Sequence, residues 1–123
     1  GFAATANSMN LPPDYPIAER RVGFEWTAPW RYKRVWEVLE AQDKHTLADS
    51  LALQRDFVAV LAREALALLP DVPEPEFAEP LALLRAWDHA ITADSAAALL
   101  FVQWFYRELP PAMATALNSR CRM

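Results

Sequence analysis

From Trp30 onward the apolar residues of this chain recur at helical spacing, whereas the positions before Trp30 show no period. Val35, Val38 and Leu39 predict a helix over 30–42, broken by Asp43-Lys44-His45. Thr46, with Asp49 three residues later, reads as an N-cap with a near capping box. Leu47, Leu51, Gln54, Val58, Leu61, Ala65 and Leu68 then step by three and four along one face. They predict one unbroken helix over 46–69, stopped by Pro70, with Gln54 the polar member of the stripe. A connector follows, with Pro70, Pro73 and Pro75 among acidic residues. A third helix is expected over 76–89, taking Pro80 in its first turns and carrying Leu81, Leu84 and Trp87. A fourth is expected over 94–109, capped by Thr92 or Asp94. Its wide apolar face holds Ala97, Leu100, Phe101, Trp104, Phe105 and Leu109, and Pro110-Pro111 ends it. Residues 110–123 read as a tail with room for a short, fraying helix. The fold class implied is mainly α.

The front of the chain follows other rules. Residues 1–6 read as a short strand or the end of one. Residues 7–29 form a loop holding Pro12, Pro13, Pro16 and Pro29, each fixing φ and removing a backbone donor. A structureless run of that length is unusual inside a compact domain. With Tyr15, Phe24, Trp26 and, just beyond it, Trp30, it carries too many aromatic residues for a solvated linker. The loop is expected to pack against something, which this chain need not contain. At 123 residues the whole reads as a single partial domain with material for one core.

Composition narrows the functional classes. With 54% hydrophobic residues the chain has the means to fold, unlike a disordered tail. A net charge of -4, with basic residues scattered apart from Arg20-Arg21 and Arg31 to Arg34, offers no basic face for nucleic acid. No apolar run approaches the roughly 20 residues that span a bilayer. Cys121 is the single cysteine, so no internal disulfide forms and the redox compartment is unreadable. The chain opens on Gly1 and not on Met, so it is expected to be a segment of a longer protein.

Most catalytic signatures are missing: no Gly-rich phosphate loop, CxxC, HExxH or GxSxG is present. His45 and His89 lie far apart, each at a helix end beside an acidic residue, Asp43 and Asp88. Capping or surface roles suit them better than metal ligation, which needs three or four convergent ligands. Asp88 reads as a cap, and Glu74, Glu76 and Glu79 as a solvated acidic face. The aromatic stripe of the fourth helix reads as core.

The N-terminal segment changes the picture. Gly1-Phe2-Ala3-Ala4-Thr5-Ala6-Asn7, then Asp14-Tyr15-Pro16, Glu25-Trp26, Pro29 and Arg31, resembles a stretch of the penicillin acylase family. There a glycine and a short strand lead to an Asn, and a Pro-rich aromatic loop leads to an Arg at the head of a helix. The separation of Asn7 from Arg31 fits without a gap. Leu53-Gln54-x-Asp56 is similar to the family's LQxD helix, and Leu84-x-x-Trp87-Asp88 and Asp94-Ser95-x-x-Ala98 to its later helices. The resemblance runs from Gly1 to about Leu109.

It implies a segment of the large (beta) subunit of an N-terminal nucleophile hydrolase, cut from an αββα fold. In that family a Ser or Cys exposed by self-cleavage attacks an amide carbonyl, with its own α-amino group as base. By resemblance, Asn7 supplies an oxyanion donor through its side-chain NH₂, and Arg31 holds the Asn and the nucleophile region. Read without the resemblance, Asn7 is an ordinary turn residue and Arg31 a first-turn surface side chain. Phe24, Trp26 and Trp30 are candidates to line an apolar acyl pocket, with packing an equal alternative. The family's structural calcium takes a carboxylate from this loop, where the ungapped register places Ala18 with Glu19 adjacent, so either the register slips by one or the site is altered; no metal or other cofactor is assigned to this chain, and calcium is left open for the parent protein. No nucleophile opens the chain and Ser8 follows Asn7, so the chain alone is expected to be inactive. Its expected partners are the rest of the large subunit, the small subunit and a small acyl amide: a β-lactam side chain, a cephalosporin side chain or an acyl-homoserine lactone. Isolated, it is expected to self-associate. A bacterial periplasmic or exterior location is likewise implied by resemblance. The competing reading is an autonomous all-α interaction or ligand-binding module without catalysis.

Overall fold

In a computed structural model, which describes residues 1–23, 25–70 and 74–120, the chain is mainly helical. Phe24, Pro73 and Cys121 lie outside the described residues. The helices are α1 (Trp30–Glu40), α2 (Leu47–Gln54), α3 (Val60–Ala67), α4 (Ala78–Arg85), α5 (Ala96–Gln103) and α6 (Leu109–Arg120). Two compact units divide the chain, Gly1–Leu61 and Ala62–Met123, so that α3 begins in the first and ends in the second.

In the first unit, α1 follows the predicted pattern and ends two residues early. His45 closes it: Nε2 donates to the Leu39 carbonyl at 3.0 Å, while Nδ1 accepts from Gln42 Nε2 at 3.1 Å. The Nε2 bond answers one of the orphan carbonyls of a helix end. Thr46 and Asp49 complete the capping box of α2. The Asp49 N–H donates to Thr46 Oγ1 at 3.2 Å and the Thr46 N–H to Asp49 Oδ2 at 2.7 Å. The Thr46 N–H, together with the Thr46 hydroxyl, which also donates to Oδ2, lowers the Asp49 carboxyl pKa from its usual value.

The unbroken helix expected over 46–69 does not form. Residues 55–59 separate α2 from α3, because Asp56 offers its side chain to the backbone in place of the helical ladder. Its Oδ1 accepts the Val58 N–H at 3.0 Å, and Arg34 takes the rest of the carboxylate. The predicted stripe is therefore split, leaving Leu47, Leu51 and Leu68 exposed. The strand expected over 1–6 is also not formed. The segment has no ladder and is docked on α1, with the Phe2 ring edge-on to Trp36 at 4.8 Å. Among the described residues that follow, up to Pro29, no helix or strand forms; turns close on proline carbonyls, Tyr15 N–H on Pro12 at 3.0 Å and Arg20 N–H on Pro16 at 2.9 Å.

The second unit carries most of the described buried side chains. Phe101 is 1% exposed, with Leu84, Trp87, Ala97 and Ala98 buried around it. Phe101 stacks on Phe105 at 5.2 Å and meets Trp87 at 5.7 Å. The third predicted helix is shorter than expected. A 3-10 turn (Pro75–Phe77) leads into α4, and Trp87 is buried beyond the helix end, its Nε1–H donating to the Ala90 carbonyl at 3.0 Å. Asp88 closes that turn by accepting the Ala90 N–H at 2.9 Å, and His89 takes a left-handed φ of 64°.

Ser95, and neither Thr92 nor Asp94, caps α5, accepting the Ala98 N–H at 3.1 Å. Thr92 and Asp94 are spent in the preceding turn, where the Thr92 contact lowers the Asp94 carboxyl pKa. Nor do Pro110 and Pro111 end the helical path. Trp104–Glu108 form a π-helical turn in which the Leu109 N–H donates to the Trp104 carbonyl, and α6 follows directly. A proline ring clashes with the carbonyl four residues back and cannot donate. Widening that turn removes the conflict, and the first turn of α6 needs no donor from either proline.

Candidate functional site

The first unit brings Asn7 and Arg31 together. Asn7 has a φ of 59°, a left-handed conformation that Asn adopts more readily than most residues. The turn is held from both sides: the Thr27 N–H donates to the Asn7 carbonyl at 2.9 Å and Thr27 Oγ1 to the Ala6 carbonyl at 3.1 Å. Ser8, the next residue, is buried at 7% exposure, while Met9 beyond it is exposed again.

Arg31 reaches this turn from the first turn of α1. One guanidinium nitrogen donates to the Ala6 carbonyl at 3.0 Å and to Asn7 Oδ1. A guanidinium has no acceptor, so the amide atom facing it is the oxygen. The Asn7 NH₂ is thereby turned away from Arg31 as an oriented neutral donor. Both side chains are exposed at this surface. Of the aromatic candidates, Trp26 precedes Thr27 and is 37% exposed, and Trp30 precedes Arg31 and is half-buried.

Thr27 was not singled out by the sequence, nor was the ion pair between Arg34 and Asp56. Arg34 Nη2 lies 2.6 Å from Asp56 Oδ2, and Nη1 lies 3.3 Å from Glu37 Oε2. Hydrogen bonding to Arg34 holds the Asp56 carboxyl below the usual range, and the same contact raises the Arg34 pKa. Asp56 was visible as the last residue of the Leu53-Gln54-x-Asp56 motif, but nothing in its spacing names a partner 22 positions away.

Ala18 and Glu19 are exposed in the turn after Pro16, and the described residues hold no group of three metal-ligating side chains. Calcium takes six to eight oxygen ligands, so a site that used Glu19 would draw most of its ligands from outside this chain. Among the described residues, no helix is long and apolar enough to cross a membrane. The second unit has an apolar groove of about 460 Å³ between Leu69, Phe77, Leu81, Leu84, Leu100 and Trp104.

A comparison with protein families gives a match to the penicillin amidase model over residues 1–120, nearly the entire chain.

Proposed function

This chain belongs to the penicillin amidase family, and from that premise we propose that it serves an amidohydrolase by supplying the oxyanion donor, Asn7. The observation that carries the reading is the Arg31 contact to Asn7 Oδ1, which points the amide NH₂ outward. The nucleophile lies outside this chain. Its attack on an acyl amide carbonyl forms a C–O or C–S bond and places negative charge on the carbonyl oxygen. The Asn7 NH₂ donates to that oxygen. Collapse then breaks the C–N bond, releases the amine with the proton taken from the nucleophile, and leaves an acyl-enzyme that water hydrolyses. An amide suits the position because it does not titrate and is oriented before the reaction begins.

Trp26 and Trp30 each adjoin a residue bonded to the Ala6–Asn7 turn, and they form part of the wall against the acyl group. The substrate class is a small acyl amide, a β-lactam side chain or an acyl-homoserine lactone. The remainder of the large subunit and the small subunit cover the apolar surface left open here. Exposed large apolar side chains support that cover, Leu47, Phe57, Leu68 and Leu99 among them.

The test is turnover of a chromogenic acyl amide by the complete enzyme with Asn7→Asp. Aspartate keeps the shape and the Arg31 contact but has no NH₂. The expected result is a loss in kcat of about 10²- to 10³-fold with little change in KM. A kcat equal to wild type overturns the assignment.

A further inference from the structure

Arg34 lies one turn beyond Arg31 on α1, and its anchoring is out of proportion to a surface ion pair. Nε donates to Asp56 Oδ1 and Oδ2 at 3.1 and 3.0 Å, and Nη2 donates to Oδ2 at 2.6 Å. Nη1 donates to Glu37 Oε2 at 3.3 Å. The two partners are largely covered, with side-chain exposures of 27% for Arg34 and 15% for Asp56. Asp56 is itself fixed, since Oδ1 also accepts the Val58 N–H in the turn after α2.

Helix α1 has no fully buried side chain, so packing alone defines its seating weakly. A guanidinium fork on a carboxylate constrains orientation as well as distance, which a single hydrogen bond does not. The fork therefore ties the turn after α2 to the helix whose first turn carries Arg31. At its other end Arg31 must meet the Ala6 carbonyl and the Asn7 amide at the same time. Rotation or sliding of α1 moves Arg31 off Asn7 and releases the amide. Misplacement of a catalytic group by about 1 Å costs on the order of 10²-fold in rate.

We propose that the Arg34–Asp56 pair is a positioning element of the oxyanion site: it sets the seating of α1 and so keeps Arg31 on Asn7. The proposal rests on the reading of Asn7 as oxyanion donor. Asp56 bonds to Arg34 and to the Val58 N–H, and it acts on kcat through Arg31.

The test is a double-mutant cycle in the complete enzyme, with kcat and KM measured for an acyl amide in wild type, Asp56→Asn, Asn7→Asp and the double variant. Arg34→Lys, which keeps the charge and loses the fork, serves as a milder second probe. The expected results are a fall in kcat of about 10- to 100-fold for Asp56→Asn with KM within about threefold, and a smaller fall in the same sense for Arg34→Lys. In the Asn7→Asp background, Asp56→Asn should cause little further loss, because the donor it positions is already gone. Losses that multiply across the cycle show a structural role alone and overturn the proposal. So does a wild-type kcat in both Asp56→Asn and Arg34→Lys beside an impaired Asn7→Asp. Full activity in Asn7→Asp overturns the underlying reading first, and this inference with it.

Discussion

The Arg31 guanidinium donates to Asn7 Oδ1 and to the Ala6 carbonyl, spanning 24 and 25 positions of sequence from a single side chain. Two acceptors on adjacent residues fix the turn as well as the amide. Removing the guanidinium frees the Asn7 side chain to rotate while the Thr27 bonds still hold the backbone. Arg31→Ala in the complete enzyme is therefore expected to lower kcat by about 10- to 100-fold, less than loss of the Asn7 donor itself. Steady-state kinetics on an acyl amide check this; a loss under about twofold leaves Arg31 as a surface residue.

The Asp56 carboxyl is held below its ordinary value of 3.8 by Arg34. A group whose folded pKa is depressed adds stability above its unfolded pKa, and that stability is lost as the pH falls through the folded value. The protein is thus expected to lose thermal stability on acidification below about pH 4, with part of the loss absent in Asp56→Asn. At pH 7 the same substitution is expected to destabilise by about 1–3 kcal/mol, since it weakens charged hydrogen bonds in a largely covered pair. Unfolding curves from pH 2 to 7 for both proteins check this, and parallel acid limbs would exclude the contribution of Asp56.

What the sequence disclosed depended on how local the cause was. The capping box at Thr46 and Asp49 and the aromatic face around Phe101 were readable, because spacing within one element determines them. The break after Gln54 was not. A clean apolar period runs through Val58, and only the side chain of Asp56, drawn to Arg34 across 22 positions, interrupts it. Pro110 and Pro111 misled for a related reason, since a π turn just before them accommodates what a regular helix cannot. At the site, Asn7 and Arg31 were named by resemblance, and their contact is a property of the folded chain. Thr27 carried no signal, because a threonine in a loop announces no partner.

Phe101 is the best-packed large residue of the second unit, in ring contact with Trp87, Trp104 and Phe105. Phe101→Ala is expected to destabilise by about 3–5 kcal/mol, through lost burial and the cavity left behind. Leu99→Ala, on the same helix but 71% exposed, is expected to change stability by about 0.5 kcal/mol or less. Denaturant midpoints of the two variants check the contrast, and equal effects would refute the placement of the core.

An apolar groove lies between Leu69, Phe77, Leu84, Leu100 and Trp104, and its behaviour in solution separates a part of a larger enzyme from an autonomous module. Phe57, Leu68 and Leu99 are also exposed, so apolar surface is not confined to the groove. Monomeric soluble proteins rarely expose contiguous apolar patches beyond a few hundred Å². The isolated 123-residue chain is therefore expected to bind a hydrophobic dye and to self-associate, with both properties lost when it is part of the complete enzyme. Dye fluorescence and sedimentation, on the chain and on the enzyme, check this. A chain that stays monomeric, binds no dye and unfolds in one sharp thermal transition has closed its own surface. The autonomous module is then the better description, and the covering role given to the rest of the enzyme is withdrawn.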